Sequence, residues 1–219
     1  MFDPEVWIML GRGLLESLYM TLVSTALAYL LGLPMGIAMV VTDKEGIYPR
    51  ERFNWILGLI INLFRSIPFL ILLIMVLPVT RAIVGTTIGT NATIVPLVIA
   101  AAPFIARLVE SSLKEVDKGV IEAAQSMGAS SMQIITKVLL PEARPSLIVG
   151  AAIAVTTILS YSAMAGFVAG GGLGDIAIRY GYHRYQTDIM LVTVVLLVLI
   201  VQVLQEAGMR LARLGDKRK

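Results

Sequence analysis

Four stretches of this chain carry no charged residue and are long enough to cross a bilayer: Ser17 to Thr42, Ala82 to Ala106, Pro145 to Gly174 and Ile189 to Gln205. A spanning helix needs about 20 apolar residues, with roughly 17–25 the usual range. A fifth candidate, Phe53 to Thr80, is interrupted by Arg65. That arginine can snorkel to the nearer interface and leave Ser66 to Thr80 as the deep part. Alternatively, Phe53 to Phe64 lies partly at the interface and feeds into the span. Pro68 kinks that helix or sets its start. Only 15% of residues are charged and mean hydropathy is +0.84, whereas soluble domains carry about 25% charged residues. The expected fold is an all-α integral membrane protein with one transmembrane domain over residues 1–219. Its five spans lie near 17–42, 54–80, 88–110, 145–168 and 188–209, with a helical loop at 111–144 between the third and fourth.

Charge orients the spans. Lys44, Arg50 and Arg52 fall in one connecting segment, and Arg107, Lys114, Lys118, Lys137 and Arg144 in another. Arg210, Arg213, Lys217, Arg218 and Lys219 crowd the tail. The alternate segments hold only Arg12, Arg81, Arg179 and Arg184. Lys and Arg favour the cytoplasmic side, so five spans with an outside N-terminus and an inside C-terminus place all three rich segments together. The acidic start, Asp3 and Glu5, and the long apolar run behind it speak for a retained first helix rather than a cleaved signal.

Several chemistries are disfavoured. There is no cysteine and a single histidine, His183, so neither a disulfide framework nor a thiolate or multi-histidine metal site is expected. No Gly-Lys dipeptide occurs, hence no phosphate-binding GxxxxGK[ST] loop and no expected ATP hydrolysis by this chain. The spans hold almost no ionisable residue apart from Arg65, whereas ion-coupled carriers place such groups within the membrane. No Ser-His-Asp or paired-carboxylate arrangement suggests an enzyme.

The polar interval from about Arg107 to Arg144 is too long for a simple turn. Val120, Ile121, Ala124 and Met127 share a helical face. Gly128 ends that helix in a left-handed conformation, and Ser130 or Ser131 caps a second one. Ile134, Ile135, Val138 and Leu139 give the second helix an apolar face, and Pro141 stops or bends it. Ala123 and Ala124 are small enough for close approach to a partner, and Glu122 stands off the stripe, free to meet a basic group. A hairpin of this kind can also merely pack against the membrane face. A DNA-binding reading fails, because Met132 to Leu140 carries only Lys137. In the fourth span Thr156, Thr157, Ser160, Tyr161, Ser162 and Met164 interleave with small residues. These are candidates for a translocation path, or simply for helix-packing contacts. Gly170 to Gly174 reads as a loop.

The order Glu122-Ala123-Ala124, Gly128, Val138, Leu140-Pro141 resembles the EAA loop of permease subunits from binding-protein-dependent ABC importers. Val138 stands where the general pattern has Ile. Phe64 to Phe69, Ile83 to Gly89, Ala102 to Arg107, Tyr161 to Met164 and Gly171 to Gly174 resemble the methionine importer permease. The resemblance covers nearly the whole chain. It implies ATPase-coupling residues Glu122, Ala123, Ala124, Gly128, Ala129, Leu140 and Pro141, and a path or gate at Ser160, Tyr161, Ser162 and Met164. It also implies a homodimer in the bacterial inner membrane, with two ABC ATPase subunits on the cytoplasmic side that bind ATP and Mg. An extracytoplasmic substrate-binding lipoprotein would deliver methionine, D and L. Membrane lipid is a partner; nucleic acid is not. This chain itself would hold no cofactor or metal. A permease for another small amino acid or polar solute, or a motor-free channel, remains the alternative.

Overall fold

The structure, a computed structural model, describes residues 3–215; Lys217, Arg218 and Lys219, which enter the charge argument, lie outside them. All regular structure among the described residues is helical. Helix α1 runs Pro4–Val41, α2 Glu51–Ser66, α3 Phe69–Val84 and α4 Thr90–Lys114. Three short helices follow: α5 Lys118–Ser126, α6 Ser131–Ile134 and α7 Leu140–Glu142. Then come α8 Arg144–Met164, α9 Gly172–Ile176 and α10 Thr187–Gly215. Four segments are long and apolar enough to span a membrane: Pro4–Val41, Thr90–Lys114, Arg144–Tyr182 and Thr187–Arg213. The α2–α3 pair supplies a fifth if it is one broken span.

Several boundaries differ from the sequence expectation, each for a local reason. The first helix begins at Pro4 rather than near Ser17, because Arg12 and Glu16 pair at 3.1 Å one turn apart and do not interrupt it. The span expected at 54–80 is two helices. Pro68 sits in an extended conformation (φ −57°, ψ 136°), and its ring drives the preceding residue out of the helical region. Helix α4 continues to Lys114 instead of closing near 110, since Glu110 pairs with Lys114 one turn on. The expected loop at Gly170–Gly174 gives way to α9 from Gly172. Its first two amides, Gly172 and Leu173, donate to Glu16 Oε2 and Ser17 Oγ of α1 at 2.9 Å each. Those side chains satisfy the helix-start donors that otherwise go unpaired.

The chain forms two compact units. One takes the N-terminal stretch through Ala28, Ile67–Ala101 and Val155–Gln205. Its core gathers Leu10, Leu159, Leu173, Ile176, Ile189 and Ile200. The other takes Tyr29–Ser66, Ala102–Ala154 and the chain from Glu206 onward. Here Met39, Ile61 and Ala106 form the core, and Gly32 and Gly36 bring α1 against the α4 backbone at Ala102 and Ala106. Small residues at such crossings let helices approach closely where lipid offers no hydrophobic drive. Helices α4 and α10 differ most: 67% of the most apolar window of α4 is buried, against 17% for α10. Leu191, Val195, Leu199 and Val203 of α10 face outward, as suits a helix bathed in lipid.

Candidate coupling and translocation site

The interval after α4 folds as a self-capped hairpin. Asp117 accepts from the Gly119 amide at 2.7 Å and starts α5. At its other end Gly128 takes φ +78°. The Gly128 amide donates to the Gln125 carbonyl at 2.9 Å and the Ala129 amide to the Ala124 carbonyl at 3.1 Å. This pair of bonds is the Schellman closure of a helix, and it gives Ala124 and Ala129 a structural role that the sequence pattern alone does not. Ser130 and Gln133 then form a reciprocal capping box, which starts α6 one residue after the turn.

The apolar stripe expected on α5 divides. Ala124 is buried and Ile121 half-buried, but Val120 is exposed and Met127 is 81% exposed. Glu122 and Ala123 are exposed beside them, so α5 presents a small, partly apolar surface that no described residue covers. On the second arm Ile134 and Leu139 are buried, while Ile135, Val138 and Leu140 are half-buried. Pro141, expected to stop or bend the helix, lies inside a continuous helical run and is exposed. A π turn over Ile135–Leu139 precedes it, with the Leu140 amide reaching back to Ile135. The widened turn shifts the carbonyls that the proline ring would otherwise strike.

A cavity of about 590 Å³ opens beside α5, lined by Asp43, Glu45, Lys114, Lys118, Glu122 and Gln125 among others. Asp43 pairs with Lys114 at 3.1 Å, and Glu45 with Lys118. The Lys114 hydrogen bond holds the Asp43 carboxyl below its ordinary range. The Lys118 hydrogen bond does the same for Glu45, and Glu45 raises Lys118 in return. In the sequence these cations carry only an inside signal, because their acidic partners in the α1–α2 connection are distant along the chain. The Arg107, Glu110, Lys114 spacing was the one local clue.

The residues expected along a path separate onto different faces of α8. Ser160 and Met164, one turn apart, are exposed. With Leu159, Ala163, Phe167, Leu197 and Val201 they line a shallow, mostly apolar hollow of about 380 Å³. Tyr161 instead stacks on Phe69, ring centroids 4.5 Å apart. Ser162 is buried and donates to the Leu159 carbonyl at 2.8 Å. Only Ser160 and Met164 share the open surface. Among the described residues no cluster of three or more His, Cys, Asp or Glu could hold a metal ion.

Known proteins match this chain closely. The family described as "Binding-protein-dependent transport system inner membrane component" matches residues 19–218. A probable D-methionine transport system permease protein of Vibrio cholerae is 52% identical over 217 residues, covering 97% of this chain and 96% of the relative. A counterpart from Pasteurella multocida is 47% identical, covering 98% and 99%. A solved structure of the MetNI methionine ABC transporter in an inward-facing conformation superimposes with TM-score 0.97 at 47% identity, covering 99% of this chain and 100% of that one.

Proposed function

The chain belongs to the binding-protein-dependent transport system inner membrane components, and on that premise we propose that it is the permease subunit of a methionine ABC importer. It carries methionine, D and L, across a bacterial inner membrane and does no chemistry itself. Two copies form the pathway, two ATPase subunits bind ATP and Mg on the cytoplasmic side, and an extracytoplasmic binding protein delivers cargo. The N-terminus lies outside and the C-terminus inside.

The observation that carries this reading is the uncovered α5 surface, with Val120, Ala123 and Met127 exposed on a hairpin closed by its own caps. An open face of this kind outside a span suits contact with another protein. Glu122, Ala123, Ala124, Gly128, Ala129, Leu140 and Pro141 shape or present it. ATP binding closes the ATPase pair, the hairpin follows, and the spans move. Met164 and Ser160 face the pathway, with Met164 as a soft constriction between copies. A narrow apolar gap resists wetting by ions yet yields to a flexible solute. Tyr161 and Ser162 support that surface from behind.

The test is reconstitution with the ATPase and binding protein. ATP-dependent uptake of D- and L-methionine into proteoliposomes is expected, together with co-purification of the ATPase. A chain that purifies without a motor and lets methionine equilibrate without ATP is a channel, and the proposal is then wrong. Since the chain lacks cysteine, Met164→Cys examines the gate. The two copies should cross-link in the inward-facing state and less so with ATP bound; absence of cross-linking in every state of a proven dimer moves the gate elsewhere.

A further inference from the structure

At the root of the hairpin, charged side chains make a continuous chain of bonds across three elements. Glu110, one turn before the end of α4, is 7% exposed. It accepts from Arg107 Nη1 at 2.5 Å and from Lys114 Nζ at 3.0 Å. Arg107 extends the chain to α2, donating from Nη2 to Asn62 Oδ1 at 2.8 Å. Lys114 extends it the other way, to Asp43 in the α1–α2 connection at 3.1 Å. A buried carboxylate is costly unless fully paired, and ionisable groups in such settings are rarely idle. Just three residues, Glu115 to Asp117, join α4 to α5. Continuous helical bonding does not run from α4 into α5, so the joint alone does not fix the direction of one against the other. Charge-assisted bonds are short and directional, so they resist sliding where apolar contacts slip. Glu115 adds a brace, accepting from Ser146 Oγ of α8 at 3.0 Å.

We propose that Arg107, Glu110, Lys114 and Asp43 are positioning residues for coupling. They bind α2, the α1–α2 connection and the end of α4 into one body, to which Lys118 of α5 is joined through Glu45 of that connection, so that the body travels with α5 when the ATPase moves it. The inference rests on α5 being the ATPase-docking helix. If the ion chain only anchored helix ends, its loss would lower stability and yield but leave the amount of methionine moved per ATP unchanged.

The experiment uses the reconstituted complex with Glu110→Gln, Lys114→Met and the conservative Lys114→Arg. One readout is methionine transported per ATP hydrolysed. The other is the distance between spin labels at Leu59→Cys on α2 and Gln125→Cys on α5. In the wild-type background that distance should hold constant between nucleotide-free and ATP-bound states. In Glu110→Gln it should change on ATP binding, and transport per ATP should fall about tenfold with the ATPase still co-purifying. Lys114→Met should fall similarly and Lys114→Arg should keep at least half. If Glu110→Gln does not assemble, the two Lys114 variants, which keep the Arg107–Glu110 pair, decide. An unchanged ratio in the assembled variants overturns the proposal, as does a label distance that already shifts in the wild type. A wild-type chain that never captures the ATPase overturns the docking assignment beneath it instead.

Discussion

Gly128, in the α5–α6 turn, and Gly174, inside α9, both have to be glycine, for opposite reasons. At Gly128 the backbone needs a left-handed residue and nothing stands within 4 Å of where a Cβ would be. At Gly174 the space itself is missing: a Cβ would lie 2.2 Å from the Ala163 carbonyl oxygen. The α5–α6 turn is closed by local hydrogen bonds and leaves its surface open. Helix α9 is held by packing against α8, with the Glu16 and Ser17 caps of α1 pinning its start. A surface that must meet a partner can be built locally and left uncovered. A helix inside a packed unit has no such freedom, and its cost of change is set by the neighbours packed against it.

The sharpest way to break this contrast is Gly174→Ala. The intruding methyl meets backbone, which cannot rotate aside, so the loss should sit at or above the upper end of the ~1–3 kcal/mol typical of overpacking. Thermal unfolding in detergent should show a large fall in Tm; a near-native Tm would mean that the close approach of α9 to α8 is not tight. Next in size is Ser17→Ala, which leaves the buried Leu173 amide without its acceptor. A stranded donor of that kind costs about 1–3 kcal/mol, and amide exchange at Leu173 to Ile176 should quicken. An unchanged exchange rate there would remove Ser17 as a cap.

Smaller still is Gly128→Ala, at about 1–2 kcal/mol for a left-handed alanine. Gly128→Asn should recover part of that loss, because asparagine tolerates the conformation. The pair sharpens the contrast usefully. If Asn restores stability but not ATPase capture, the open space over Gly128 is itself part of the contact. If Asn restores both, only the backbone matters.

Least affected should be the Glu45–Lys118 pair, which is fully exposed and of a kind that contributes little. The depressed Glu45 pKa makes its contribution present above 4.5 and lost as pH falls through the lower folded value. The raised Lys118 pKa makes its contribution present below 10.5 and lost only as pH climbs past the higher folded value. Amide exchange across residues 43–50, corrected for intrinsic rates, should therefore be flat between about pH 6 and pH 9, values inside that window. Glu45→Gln should leave Tm unchanged, and a marked drop would show that this pair belongs to the buried network after all.

Much of this molecule is legible in one dimension. Uncharged runs announce the spans because lipid excludes charge over a fixed thickness. The hairpin is legible because caps and turns act within a few residues: Ser130 with Gln133, and Gly128 with Gln125, are neighbours in the chain. Pro68 signals a break, and the structure turns that signal into two helices. The rest required distant segments to meet. Nothing near Gly172 in sequence predicts that Glu16 and Ser17 would cap α9 and make it helical. Nothing in Tyr161 to Met164 says that Tyr161 stacks on Phe69 while Met164 stays open. Asp43 and Asn62 join Glu110 only through Lys114 and Arg107. By itself, then, the sequence determined what must be in lipid and where the chain turns, because both follow from transfer free energies and short-range hydrogen bonds. Tertiary structure decided which faces are covered, which carboxylates are paired and which glycines have no room, because burial and electrostatic pairing depend on contacts between segments that chain order does not bring together.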